Sequence, residues 1–382
     1  MAEFKVSAPG KVILFGEHSV VYGKTAVAAS LSLRTNLKFK EQILEKNYIE
    51  ISMPKINLNQ QISLQQIIDF FFSESSIKLS SGHEKFYKYV QKFVEQLNIE
   101  TISQRQGLEA LFYLMIGISQ KENIVIKSFY LHLDTALSIS SGLGSSASFA
   151  VCLATCFYYW SRLQKNLQTP LDNSHLREIS SYALECERIM HGTPSGIDNT
   201  ICTFGSIIEF RKGECLVPIN DAKIMRVLLV DTKVPRNTKN LVETFAKLRS
   251  KYPKIIDPLL ESMDGIAKEA LAIIRRIQEL PEAHDELLFE AYDELMTLIK
   301  INQGFLGTCN LSHPSLDAIC AEAKNYGLAA KLTGAGGGGY AYILLLPNTS
   351  NEIIDKLSQK LTASGYLVTL TNLGGSGIEI FK

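Results

Sequence analysis

Gly142-Leu143-Gly144-Ser145-Ser146-Ala147 carries the strongest chemical signal in this chain. Two glycines let a backbone approach a ligand closely, and a helix starting just after them presents unpaired N–H groups and a partial positive charge to an anion. Upstream, SFYLHLDTALSI is strand-like; downstream, ASFAVCLATCFYYW is an apolar, Ala-rich run. Strand, glycine turn and buried helix together predict a phosphate-binding loop that includes Ser141 at its head. The spacing also fits GxGxxA, but a dinucleotide site needs a second strand ending in an acidic residue about 20 residues further on. Here that region is QKNLQTPLDNSHLREI, polar and then helical, so half of that site is missing.

Two other glycine stretches carry less. Gly334-Ala335-Gly336-Gly337-Gly338-Gly339 matches GxGxxG, yet the apolar strand YAYILLL follows it where a dinucleotide site needs a helix. It reads as a turn whose bare backbone packs against a ligand or another loop. Gly23-Lys24-Thr25 ends like a nucleotide P-loop, but six residues separate it from Gly16 where four are required. Polar residues also gather at two expected turns near the start, Pro9-Gly10-Lys11 and Gly16-Glu17-His18. Finally, Leu176, Ile179, Ala183, Cys186 and Met190 form a helical stripe that the HGTPSG break ends, with Glu187 just before the break and Asp198 just after it.

The elements that must position these residues follow from periodicity. Leu31, Leu33, Thr35, Leu37 and Phe39 alternate with polar residues, the pattern of a half-buried strand, and FKVSA and VILF make the first forty residues β-rich. Residues 57–82 are rich in Ser, Gln and Asn and are expected to form a mobile connection; 84–98 and 103–119 have helical spacing. After about residue 222 the pattern changes to a strand at MRVLLV, helices over 238–306 and 315–326, and further strands at YAYILLL, YLVTL and IEIF. This places a domain boundary there, with domains over 1–222 and 223–382, the second of α+β type. No internal repeat is present.

Composition bounds the remaining possibilities. The 382 residues are 46% hydrophobic, ample for a sizeable core. With 39 basic and 39 acidic residues the net charge is zero, without the bulk positive field that drives binding to nucleic acid or acidic membranes, so any anion must be captured locally. Seven cysteines without a CxxC pair read as free thiols in a reducing compartment. No secretory leader, spanning run or lipidation box is legible, and a cytoplasmic protein with no membrane partner is expected.

Taken together, the segments resemble the GHMP kinase superfamily. SAPGKVILFGEHSVVYGK is similar to that family's first motif, SGLGSSAS to its second and KLTGAGGGG to its third; ERIMHGTPSGIDN and TKVPRNTKNLV are similar to segments of its mevalonate-phosphorylating branch. The matches run in order from residue 5 to residue 339. The resemblance implies a two-domain α+β fold, with an N-terminal ATP-binding domain like ribosomal protein S5 domain 2, a ferredoxin-like C-terminal domain and the active site between them. It implies transfer of the γ-phosphoryl group of ATP to the primary hydroxyl of mevalonate, with Mg²⁺ as cofactor. In that reading Asp198 is the base, Lys11 acts on the phosphate charge, and Ser146 and Glu187 hold the metal. Residues 141–147 (Ser141, Gly142, Leu143, Gly144, Ser145, Ser146, Ala147) bind the nucleotide. Glu17, His18, Thr238 and Ala335 bind mevalonate. A homodimer and prenyl diphosphate inhibitors at the ATP site are implied in the same way.

Overall fold

A computed structural model describes residues 1–43, 46–139, 142–167, 169–192, 194–211, 217–219, 223–280 and 285–382. Ser141 lies outside these residues, as does the expected boundary at 222. The first half holds strands β1 (Glu3–Phe15), β2 (Ala26–Glu41), β3 (Tyr48–Met53), β4 (Leu58–Ser63), β5 (Phe129–Thr135), β6 (Ile207–Phe210) and β7 (Val217–Ile219). Its helices are α1 (Leu64–Phe71), α2 (His83–Val94), α3 (Ile102–Glu122), α4 (Ser145–Gln164), α5 (Asn173–His191) and α6 (Ile197–Phe204). The second half holds β8 (Met225–Asp231), β9 (Ala329–Leu332), β10 (Tyr340–Leu344), β11 (Leu367–Leu373) and β12 (Glu379–Phe381). Its helices are α7 (Thr238–Lys251), α8 (Pro253–Glu279), α9 (Asp285–Thr308), α10 (Pro314–Asn325) and α11 (Asn351–Ala363).

The alternating segment at 31–40 forms β2, whose sixteen residues make it the hub of the molecule. It pairs antiparallel with β1, β5 and β6, and at Leu31 with Leu373 of β11, so that a single sheet runs in the order β4-β3-β5-β2-β11-β8-β10-β9. Among the described residues only β3 and β5 pair in parallel. Strand β12, last in the chain, returns to the opposite edge of β1, pairing Lys5 with Phe381 and Ser7 with Glu379.

Two sequence expectations are corrected. Pro9-Gly10-Lys11 is no turn: β1 runs through it, and there the register slips, β1 advancing two residues from Pro9 to Lys11 while β2 moves four, from Arg34 to Ser30. Such an irregularity accommodates a proline that cannot donate to the ladder and re-aims the next side chain. Residues 57–82 are no loose connection either, since they contain β4 and α1, anchored by buried Leu58, Ile62, Ile67 and Phe71.

Among the described residues four packed clusters form the core, the smallest setting Ala26 and Ala28 of β2 against Ile197 and Ile201 of α6 and Ile208 and Phe210 of β6. One lies between the sheet and α1–α5, another under β8–β11 with α7, α10 and α11, and a third joins Val12, Leu14 and Phe15 of β1 to α8, α9 and β8–β10. The strand that carries Lys11 is thus packed into both halves of the molecule. Helix α4, the Ala-rich run, is buried over most of its length, which fixes the direction of its N-terminus.

Candidate active site

The geometry begins at the slip in β1. The Lys11 amide donates to the Leu143 carbonyl at 2.8 Å, tying the strand to the glycine loop of the second motif. Beside it Gly144, the N-cap of α4, has φ +72°, and a Cβ there would sit 2.7 Å from Lys11 Cγ. Both the backbone conformation and the space therefore call for glycine. The Lys11 side chain passes beneath this loop, largely buried, and its Nζ lies 3.0 Å from Asp198 Oδ1.

Asp198 sits in the first turn of α6, whose N-cap is Gly196 with φ +83°, where the helix dipole favours a carboxylate. Asn199, next to it, donates to the carbonyl and hydroxyl of Ser180 on α5, fixing the two helices against each other. Glu187, buried near the end of α5, faces Asp198. Burial, and then the Asp198 charge, push its carboxyl up to about 8, while Lys11 pulls the other way.

Asp198 and Glu187 open into a cavity of about 510 Å³, with Lys11 behind Asp198. Ser145, Ser146 and Ala147, in the first turn of α4, share its wall with Gly142, Gly144, Glu187, Asp198 and Thr238. Met53, Ile56, Leu133 and Phe149 supply an apolar side. Leu143 points elsewhere: its side chain is buried with Val12 in the core, and its carbonyl is taken by Lys11.

Arg236 went unassigned in the sequence, although it lies in the PRNTK segment. Its half-buried guanidinium occupies the space a side chain at Gly142 would need, with Nη2 only 1.5 Å from that Cβ position, and it packs against Gly334 and Gly339 of the third glycine loop. Burial lowers its pKa, with Asp198 and Asp231 opposing. A cation thus bridges the second and third glycine motifs at the cavity wall. The available signal was a lone arginine two residues before Thr238.

The expected substrate residues separate. Thr238, first residue of α7 after the Asn237 cap, lines the cavity. Ala335 is half-buried, and its carbonyl bonds His18 Nε2 at 2.8 Å. His18 itself is buried against Phe245. Glu17 lies apart from the residues that line the cavity, its carboxylate buried against Lys331 and accepting from Asn302.

A fold of this kind with a glycine loop at a helix N-terminus, two carboxylates and two cations around one cavity defines a small-molecule phosphotransferase of the GHMP type. The sequence matches the GHMP kinases N terminal domain over residues 110–206 and the GHMP kinases C terminal domain over 278–363. It is 33% identical to human mevalonate kinase over 98% of this chain and 94% of the human one, so the chain belongs to the mevalonate kinase family. The fold is similar to that of the Methanococcus jannaschii mevalonate kinase (TM-score 0.71, 22% identity, 98% of this chain and 99% of the other). It is also similar to that of the L. major mevalonate kinase solved with R-mevalonate (TM-score 0.65, 22% identity, 98% and 96%). Among the described residues no helix is long and apolar enough to cross a membrane.

Proposed function

We propose that the enzyme transfers the γ-phosphoryl group of ATP to the primary hydroxyl of (R)-mevalonate, releasing ADP and 5-phosphomevalonate for isoprenoid precursor synthesis. The observation that carries the reading is the Lys11–Asp198 pair at 3.0 Å, set at the mouth of a glycine loop and facing Arg236. Phosphoryl transfer needs little covalent help; it needs cationic charge on the phosphates and a placed hydroxyl. The hydroxyl oxygen bonds to the γ-phosphorus as the bond to the β–γ bridging oxygen breaks, and Asp198 takes or directs the hydroxyl proton. Lys11, Arg236 and the N-terminus of α4 stabilise the charge that develops on the phosphoryl oxygens.

The residues fit Mg²⁺. Glu187 is a buried carboxylate facing a second one, a place where a divalent cation relieves like-charge repulsion, and Ser146 adds a hard hydroxyl oxygen. Few protein ligands are needed, since phosphate and water complete the shell, and among the described residues no cluster of three His, Cys, Asp or Glu offers an all-protein cage. Bound there, the metal would neutralise phosphate charge. The apolar side of the cavity supports placing the adenine there, and a prenyl diphosphate would compete for the same space. Thr238 supports the mevalonate side, and the division into 1–222 and 223–382 is retained as a reading of two functional halves.

An ADP-release assay with MgATP against mevalonate, phosphomevalonate, homoserine and galactose tests the substrate. Mevalonate is expected to exceed the other three by far, and a preference for homoserine or galactose would move the enzyme to another branch of the family.

A further inference from the structure

The ion pair between Glu17 and Lys331 is sealed from water, both side chains showing 0% exposure. Lys331 Nζ also donates to the Leu332 carbonyl at 2.9 Å and lies over the rings of Phe15 and Tyr342, at 5.9 and 5.5 Å. The second carboxylate oxygen of Glu17 accepts from Asn302 of α9 at 3.4 Å. A buried pair of this kind is a poor source of stability, because desolvating two ions offsets most of their attraction and apolar residues of similar volume serve as well or better. Its use lies elsewhere, in specifying one arrangement of the parts that carry it.

Those parts are the first and third glycine-containing motifs. Glu17 precedes His18, a non-glycine residue held at φ +60°, a conformation that persists only where the surroundings enforce it. The His18 ring reaches the Ala335 carbonyl in the third loop. Thr333, two residues after Lys331, donates to the Ile13 carbonyl at 2.9 Å and accepts from the Ile13 amide at 3.1 Å. Tyr342, under the Lys331 ammonium, donates to the Leu14 carbonyl at 3.0 Å. Every one of these bonds crosses between residues 13–18 and residues 331–342, and Lys11 is two residues from the nearest. The third loop in turn packs Arg236 against Gly334 and Gly339.

We propose that Lys331 is a positioning residue for phosphoryl transfer: acting through Glu17, it fixes the third glycine loop and its Arg236 in register with the strand that carries Lys11. Glu17 in this arrangement holds the cleft in shape and does not grip the alcohol. The proposal rests on the kinase reading above.

Its test compares Lys331→Met, Glu17→Gln and the double variant with the wild type. Assays run well below each melting temperature, with kcat expressed per folded molecule and mevalonate varied at saturating MgATP. Each single variant leaves one buried charge without its partner. Both are expected to lose at least about tenfold in kcat while the mevalonate KM stays within about threefold, because misplaced cations harm the transition state more than ground-state binding. The double variant removes both charges and is expected to recover kcat to within about fivefold of wild type. A tenfold rise in mevalonate KM with kcat preserved in Glu17→Gln would overturn the proposal by making Glu17 a substrate contact. So would normal kcat in Lys331→Met with only a lower melting temperature, or a double variant no better than the singles. If Lys331→Met does not fold, Glu17→Gln and the double variant decide. A wild type inactive on mevalonate would sink the substrate reading alone, and the same comparison would then use whichever alcohol it phosphorylates.

Discussion

Lys11 owes its place to a proline: the slip at Pro9 aims the side chain under the glycine loop, where it is largely buried and meets Asp198. Lys11→Met should cost kcat/KM about 3 to 5 kcal/mol, several powers of ten, and a steady-state comparison showing less than a tenfold loss would make it a bystander. Asp198→Asn keeps the shape of the side chain and removes the charge that, in the proposed reaction, accepts or directs the proton. A fall of roughly 10²- to 10⁴-fold in kcat is expected, with KM changed much less and the melting temperature preserved. Glu187 allows a test on stability. Its folded pKa of about 8 lies above the ordinary 4.5, so the folded state holds its proton more tightly than the unfolded one. Stability from this group is complete below pH 4.5, falls as pH rises toward 8, and its loss is complete above that. Glu187→Gln, without metal or nucleotide, should therefore melt higher than wild type at pH 8.5 to 9 and lose that advantage near pH 5, while responding more weakly to Mg²⁺ in the assay. Melting curves across pH check the first half and a Mg²⁺ titration the second. Lys11, Glu187 and Asp198 stand out in the sequence because they lie in segments that resemble the family's motifs; spacing alone does not separate them from ordinary turn and helix residues. Arg236 and Lys331 do not, because their significance comes from what approaches them across the fold, Gly142 for one and Glu17 for the other.

At the scale of elements, most helices were legible because their apolar residues repeat at about 3.6, β2 because its residues alternate, and β8 and β10 because they are short continuous apolar runs. Strand β4 was hidden because only Leu58 and Ile62 of its six residues are buried and the others are polar, which makes an edge strand look like a loop. The slip in β1 was misread for the opposite reason: Pro-Gly is a strong local turn signal, and only the long ladder to β2 overrides it. The glycine loop before α4 was legible as a phosphate site, but its second neighbour was not. Gly142 has φ +81° and no room for a Cβ beside Arg236. Gly142→Ala should therefore displace the guanidinium and distort the loop, lowering kcat/KM for ATP by about 10- to 100-fold while circular dichroism shows the helices intact. Wild-type kinetics in that variant would separate Arg236 from the nucleotide.

On the scale of the whole molecule, the sheet does not respect the division suggested by the change of pattern after residue 222. Strand β11 pairs with β2, β12 with β1, and one core cluster joins the first strand to α8 and α9. Removing residues 375–382 would delete β12 and the Gly205–Ser376 bridge, strip hydrogen bonds from Lys5 to Ser7 and leave Arg34 without its contacts to Ser376 and Gly377. A lower melting temperature is expected, together with a loss of activity although no cavity residue has been removed, and calorimetry with an assay on the same sample checks both. The pairing of the last strand with the first also bears on how the protein is born. During synthesis β1 is made before β2 to β12, yet the edge that β12 covers meets that partner only after every element between them has followed, on the order of half a minute later at ordinary elongation rates. In that interval an unpaired strand edge at Lys5 to Ser7 stands open on the strand that carries Lys11, exposed to neighbouring nascent chains. The strand that carries Lys11 is thus made before every other described strand and enclosed by the last of them.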